Sequence, residues 1–286
     1  MKIAIATDTN SGISGNAAQE KGVYSLPMPV IIDGKFFLEG LDITNAQQYQ
    51  AMREERDIST SQPSPGQLLD FWDDILAEGY DEIVYIPMSS GLSNSCHSAA
   101  QFAKDYNGKV QVVDNHRISV TQAASVMSAC RLREQGMDAA KIREILEEHA
   151  YDASIYLTVD SFEYLKKGGR ITSTAAAFAT VLNLKPILTI QGNKIDAFAK
   201  ARGMKQAEVK MIEAIQKDWE TRFSDVPADA LQIETAGTFE NSADAERWRS
   251  AVQQAFPAFR VSYVDLPCSI ASHVGINAAG AGILKR

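Results

Sequence analysis

Short apolar segments alternate with segments of helical length through the first half of the chain. Lys2–Thr7, Glu82–Pro87 and Lys109–Val113 are typical of buried β-strands, and capped, amphipathic segments separate them. Strands that are joined by helices form a parallel sheet through right-handed crossovers. The sequence therefore predicts an N-terminal parallel-sheet α/β domain, in which ligands bind at the carboxyl ends of the strands.

The second half has a different pattern. Pro186–Gln191 and Lys194–Lys200 flank Gly192-Asn193 and predict a β-hairpin, and further helices and strands follow it. A hairpin mixed with helices indicates a C-terminal α+β domain. We expect domains at about 1–155 and 156–286, between which segments can exchange, and we assign no element to the Gly/Ala-rich chain end after His273.

Charge and composition exclude several classes of protein. The chain carries 28 basic and 36 acidic residues, a formal charge of −8, and its pI of about 5.1 argues against nucleic-acid binding. No apolar run reaches the ~18 residues of a membrane span, so we expect no stable membrane insertion. The cysteines Cys96, Cys130 and Cys268 show no metal-binding spacing, which favours a reduced, cytoplasmic protein without a metal.

Two hydroxyl-rich loops and one histidine are the candidates for a binding site. The sequences TSQPS at 60–64 and SSGLS at 89–93 precede helices, where hydroxyl and N–H groups either cap the helix or bind an anion. His273 lies among small residues and is either structural or a hydrogen-bond donor to a carboxylate. The cationic loop at 166–170 is either solvated surface or a contact with phosphate or a partner.

Five motifs in order resemble one family. TDTNS at 7–11, TSQPS at 60–64, SSGLS at 89–93, LKKGGRI at 165–171 and LKPIL at 184–188 are similar to segments of the DegV family, the fatty-acid-binding subunits of bacterial fatty acid kinases. Each motif alone is weakly specific, whereas five in the same order along the whole chain are specific.

The resemblance implies a two-domain α/β protein with a lipid tunnel between the domains. Thr60 and Ser93 would bind the carboxylate of a long-chain fatty acid such as hexadecanoate, with His273 close by. The protein would be a non-catalytic carrier without a cofactor, whose bound lipid a separate kinase subunit converts to an acyl phosphate. Arg170 and Arg202 would contact that kinase or the acyl phosphate. Apolar residues within Ala175–Leu184 and Met28–Ile32 are candidates for the tunnel lining or for the core.

Three positions depart from the family pattern, and two other functions stay open. Asn94, Asn115 and Asn277 replace residues that are usual in the family, which affects tunnel shape, acyl preference or kinase coupling. A stand-alone hydrolase or acyltransferase could use Ser93 and His273, although the chain has no GxSxG motif. A regulatory module for another small anion is the third class.

Overall fold

The chain forms two compact units. A computed structural model describes residues 1–178, 184–192 and 194–286. The first unit comprises Met1–Thr44 and Asp57–Tyr151, and the second comprises Asn45–Arg56 and Asp152–Arg286. A short helical segment of the N-terminal half therefore belongs to the unit that is built mainly from the C-terminal half.

The strands and helices of the described residues are numbered in chain order. The strands are β1 Ile3–Asp8, β2 Val23–Leu26, β3 Pro29–Ile32, β4 Lys35–Leu38, β5 Ile58–Thr60, β6 Glu82–Ile86, β7 Val110–Val112, β8 Ala153–Thr158, β9 Lys185–Ile190, β10 Asp196–Ala201, β11 Leu231–Gly237, β12 Ser262–Asp265 and β13 Ala279–Lys285. The helices are α1 Gly15–Glu20, α2 Asn45–Arg53, α3 Pro65–Ala77, α4 Ser95–Phe102, α5 Ser119–Glu134, α6 Ala139–Glu148, α7 Glu163–Gly168, α8 Ser173–Phe178, α9 Met204–Thr221, α10 Ser242–Ala255 and α11 Cys268–Val274. None of these described helices has both the length and the apolar composition that a bilayer span requires.

The first unit contains the predicted parallel sheet. Its four strands lie in the order β2-β1-β6-β7, and every pair is parallel, with Ile5 opposite Val84. A separate antiparallel sheet has the order β4-β3-β5. The sequence of Val23–Asp33 predicts one β-rich stretch, but the structure divides it between the two sheets around Pro27 and Pro29, because proline cannot donate to a strand ladder.

Both faces of the parallel sheet are buried. Ile5 and Val84 pack with α5 and α6 in one apolar cluster, whereas the adjacent Tyr85 packs against Trp72 of α3 in another. Successive strand residues point to opposite faces, so this alternation requires helices on both sides. Burial of both sheet faces thus explains why these strands are continuously apolar in the sequence.

The second unit is α+β, as predicted. Its six strands have the order β10-β9-β8-β13-β11-β12, and all neighbours are antiparallel except β11 and β12. The predicted hairpin is β9 with β10, and it places Leu188 opposite Ala197. The small, apolar residues of Thr174–Leu184 predict a helix, of which the structure describes only α8, because residues 179–183, like Asn193 of the hairpin turn, lie outside the described residues.

Strand β13 is central to this sheet and was not predicted. It lies between β8 and β11, where Ala281 is opposite both Tyr156 and Thr235. Glycine and alanine have low strand propensity, which hid the strand in the sequence. Their small side chains allow close packing, and the indole Nε1 of the buried Trp248 donates to the carbonyl oxygen of Gly280 at 2.9 Å.

Candidate functional site

Polar side chains directly after β1 connect the loops of the first unit. The Asp8 carboxylate is fully buried and accepts hydrogen bonds from the Met88 backbone N–H at 2.9 Å and from Gln122 Nε2 at 3.0 Å. Burial raises the pKa of Asp8, although these hydrogen bonds act in the opposite direction. Asp8 therefore fixes the beginning of the loop that carries SSGLS.

Thr9 makes the corresponding connection to the small sheet. Its hydroxyl donates to Glu39 and accepts from the Met28 backbone N–H at 2.9 Å, just before β3 begins. No role was predicted for Asp8 or Thr9, although polar side chains directly after a strand are the signal that could have identified them. The TDTNS segment thus holds the loops and strands on which the candidate hydroxyls lie.

Thr60 is the last residue of β5 and is partly exposed. It lies opposite Val30 of β3, and the next residue, Ser61, donates its backbone N–H to the Pro29 carbonyl oxygen at 3.4 Å. Ser64, in the same TSQPS motif, forms a reciprocal capping box with Gln67 at the start of α3. The motif therefore divides into a strand end with one hydroxyl and a helix cap with another.

Ser93 closes the loop between β6 and α4. The Ser89 hydroxyl, fully buried, accepts from the Gly91 N–H at 3.1 Å, and the Ser89 N–H donates to the Arg117 carbonyl oxygen at 2.8 Å. The Ser93 hydroxyl oxygen accepts from the Ser95 N–H at 3.2 Å. Because this bond uses a lone pair, the Ser93 hydroxyl retains its own hydrogen for an anion.

In the second unit, two predicted motifs meet at His273. This residue lies near the end of α11, and its imidazole packs against Gly168 of the LKKGGRI motif so closely that a methyl group at Gly168 would lie 3.3 Å from Cε1 and overlap Nδ1. Burial, followed by the positive charge of Arg170, lowers the pKa of His273 to about 4. The imidazole is therefore neutral near pH 7 and carries one N–H group.

Small residues on either side of His273 permit close contacts, as the sequence suggested. Gly275 has a φ of 75°, and a Cβ atom there would lie 2.6 Å from Cδ2 of Tyr164. The fully buried Thr238 hydroxyl donates to the Gly275 carbonyl oxygen at 2.6 Å and accepts from the Ala278 N–H at 2.9 Å. These contacts fix the backbone that follows the histidine.

Arg170 and Arg202 are both exposed but do not lie together. The Arg170 carbonyl oxygen accepts from the Ile195 N–H at 3.3 Å, directly before β10, whereas Arg202 directly follows β10. At about 3.3 Å per strand residue, their backbones are roughly 20 Å apart. This separation suits contact with a macromolecular surface better than joint contact with one phosphate.

The three asparagine departures have different structural consequences. Asn277 has a φ of 60°, a left-handed conformation that glycine adopts freely and that asparagine adopts more readily than most other residues. Asn94 precedes α4 without a side-chain capping bond. Asn115 is fully buried, and its Oδ1 accepts from the Arg117 N–H at 3.3 Å.

The surroundings of His273 differ from those of a hydrolase histidine. The charge that acts on its pKa is the cation of Arg170, whereas a catalytic triad places a carboxylate beside the histidine. Among residues 1–178, 184–192 and 194–286, no group of His, Cys, Asp or Glu side chains could hold a metal ion. The arrangement suits the binding of an anion by neutral donors.

These observations define a class: a two-unit α/β protein with hydroxyl-bearing loops at the carboxyl ends of a parallel sheet. The chain belongs to the DegV family, because the family model described as "Uncharacterised protein, DegV family" matches residues 2–286. The resemblance found in the five sequence motifs is thereby confirmed.

Relatives and solved structures agree with this assignment. A DegV domain-containing protein of Deinococcus radiodurans is 31% identical over 76% of this chain and 77% of its own length. A Thermus thermophilus DegV family protein, described for its fatty acid binding, superimposes with a TM-score of 0.89 at 27% identity and full coverage of both chains. A fatty acid binding DegV family protein from Streptococcus agalactiae gives 0.87 at 26% identity, covering 100% of this chain and 99% of that one.

Proposed function

We propose that this protein binds a long-chain fatty acid and presents its carboxylate to a separate kinase subunit, which forms the acyl phosphate. The observation that carries the proposal is similarity over the whole chain to two DegV proteins described as fatty acid binding. The protein itself would be a non-catalytic carrier in the cytoplasm, where a kinase has access to nucleotide.

Thr60, Ser93 and His273 are the proposed carboxylate-binding residues. Thr60 ends a strand, Ser93 retains a hydroxyl hydrogen, and His273 is a neutral donor. Neutral donors suit a group that must later react, because they bind a carboxylate without the tight ion pair that a buried lysine or arginine would form. Arg170 and Arg202, exposed at opposite ends of β10, are the proposed contacts with the kinase.

The acyl chain and the carboxylate of a fatty acid contribute differently to the binding free energy. Roughly fifteen methylene and methyl groups of a sixteen-carbon acid, at about 0.8 kcal/mol each, give a gross transfer free energy of roughly 12 kcal/mol before entropy losses. Each hydrogen bond to the carboxylate contributes about 1.5–3 kcal/mol. The acyl chain therefore supplies most of the affinity, and the polar residues determine which end is presented.

Extraction of the purified protein tests lipid binding directly. Native mass spectrometry, followed by organic extraction, is expected to show one fatty acid per chain. Thr60→Val and Ser93→Ala should weaken fatty acid binding about tenfold or more, whereas Ser61→Ala, in the same motif as Thr60, serves as the matched control. Purified protein without lipid would refute fatty acid binding. Variants that bind fatty acid normally would refute the head-group assignment.

Coupling to the kinase needs a separate assay. With purified kinase subunit and nucleotide, acyl phosphate is trapped as the hydroxamate, and Arg170→Ala or Arg202→Ala should reduce its formation while lipid binding is retained. Lys217→Ala removes an exposed cation from α9 and is the control. If the protein alone hydrolyses an ester and Ser93→Ala abolishes this turnover, the hydrolase alternative is correct.

A further inference from the structure

The second unit contains a cavity that the proposed function does not use. Its volume is about 210 Å³, compared with the roughly 10–15 Å³ that one water requires by the same measure. Helix α2 forms one side, and the residues that follow β11 or end β12 form the other. The lining residues are Asn45, Ala46, Tyr49, Arg53, Phe239, Glu240 and Asp265.

Two of the seven residues that line this cavity are aromatic. Tyr49 lines it and is 6% exposed, and Phe239 lines it and packs against Tyr263 with ring centroids 6.2 Å apart. The phenol oxygens of Tyr49 and Tyr263 are shielded from water and have no partner in hydrogen-bonding geometry among the described residues. Tyr49 and Phe239 therefore contribute aromatic rings to the lining.

One carboxylate in the cavity also lacks a counter-charge. Arg53 forms an ion pair with Glu240, so these two lining charges offset each other. Asp265 forms no ion pair within the described part of the chain, which leaves the lining with one net negative charge. Burial, and then the charge of Asp265, raises the pKa of both Tyr49 and Tyr263, so the carboxylate acts on both phenols.

We propose that this cavity binds a small alkylammonium cation, whose charge is neutralised by Asp265 and whose methylene or methyl groups contact Tyr49 and Phe239. Aromatic faces attract cations through their quadrupole, most strongly where water is excluded. An anion is disfavoured, because Glu240 already occupies the guanidinium of Arg53. Asp265 is exposed, so its carboxylate is accessible to a cation that enters from solvent.

Saturation-transfer NMR on the full chain can separate charge from shape. The probes are choline and 3,3-dimethylbutan-1-ol, a neutral alcohol of nearly the same shape. We expect saturation transfer to choline. We also expect choline to bind at least about fivefold more strongly than the alcohol. Equal binding of the two probes, or no transfer to choline, would overturn the proposal.

Two matched variants test the residues. Asp265→Asn should weaken choline binding at least about fivefold, whereas Asp229→Asn, which changes an exposed acid outside the lining, should leave it unchanged. Phe239→Leu keeps an apolar contact but removes a ring, and it should weaken choline without weakening the neutral alcohol. Circular dichroism verifies that each variant is folded, and choline binding unaffected by Asp265→Asn in folded protein contradicts the site.

A last comparison identifies the source of the cation. Sedimentation with phosphatidylcholine vesicles that depends on Asp265, and is absent with phosphatidylglycerol vesicles, would assign a lipid head group. Binding of free choline without such sedimentation would assign a small dissolved amine. Both results support the alkylammonium site, and the readouts are independent of fatty acid content, so the carrier proposal can fail without affecting them.

Discussion

Gly168 shows how one missing side chain brings two sequence motifs into contact. It ends α7, and a methyl group there would overlap the imidazole of His273. Gly168→Ala should therefore force the two helices apart and lower the free energy of unfolding by about 1–3 kcal/mol, as overpacking does elsewhere. Chemical denaturation followed by circular dichroism measures this change.

The control is a glycine in open surroundings. Gly66 lies in the first turn of α3, and a Cβ atom there meets nothing within 4 Å. Gly66→Ala should leave the stability unchanged or raise it by about 0.5–1 kcal/mol, because alanine is the better helix former. Equal effects of the two substitutions would show that the contact with His273 is not tight.

The titration of His273 predicts a pH dependence of stability. Its pKa is lowered to about 4 in the folded protein, whereas an imidazole in the unfolded chain titrates near about 6.5. The unfolded chain thus takes up the proton first. The contribution of His273 to the free energy of unfolding is complete above about pH 6.5. It decreases by up to about 3 kcal/mol as the pH falls towards 4.

Substitution of His273 separates the contribution of its imidazole from that of the carboxylates that titrate in the same pH range. Relative to the wild type, His273→Gln should lose less stability between about pH 6.5 and 4 in urea denaturation. His97→Gln, at an exposed position on α4, should follow the wild-type curve. A His273→Gln curve parallel to the wild type would show that the imidazole is not buried as described.

At the level of elements, the TSQPS motif contains a helix cap at Ser64 and a proposed binding residue at Thr60. The Ser64 hydroxyl accepts from the Gln67 N–H at 3.2 Å, and the Gln67 side chain accepts from the Ser64 N–H at 2.9 Å. Ser64→Ala should destabilise the protein by about 1 kcal/mol, while the affinity for fatty acid stays unchanged. Ser61→Ala, which removes a hydroxyl without a hydrogen bond among the described residues, should leave thermal unfolding unaltered.

The sequence predicted elements wherever local pattern and tertiary role agree. The sequence predicts a strand over Lys2–Thr7, and β1 is Ile3–Asp8. It predicts a helix directly after TSQPS, and α3 begins at Pro65. Strand β13 was missed, because Gly and Ala acquire a strand conformation here only through pairing with β8 and β11. Helix α11, seven residues long, was missed because it offers too few turns for a periodic signal.

At the level of the whole molecule, the sequence indicated the candidate residues but not the residues that contact them in the fold. Thr60 and Ser93 were named from motifs and His273 from the small residues around it, but the contact of His273 with Gly168 joins residues about a hundred positions apart. The connection from Asp8 to Met88 likewise spans 80 positions. No local pattern encodes such pairs, so the low pKa of His273 and the central role of Asp8 required the fold.

The carrier proposal makes one prediction that involves both units. If Ser93 of the first unit and His273 of the second bind the same carboxylate, their substitutions should not be additive, because either change weakens the ligand's hold on the other residue. In a double-mutant cycle with Ser93→Ala and His273→Gln, fatty acid affinity, measured by displacement of a fluorescent analogue, should show a coupling of at least about 0.5 kcal/mol. Ser93→Ala combined with Asp229→Asn is the additive control. Additivity in the first pair would mean that the two residues serve different sites, and the carboxylate would then be held by one unit alone.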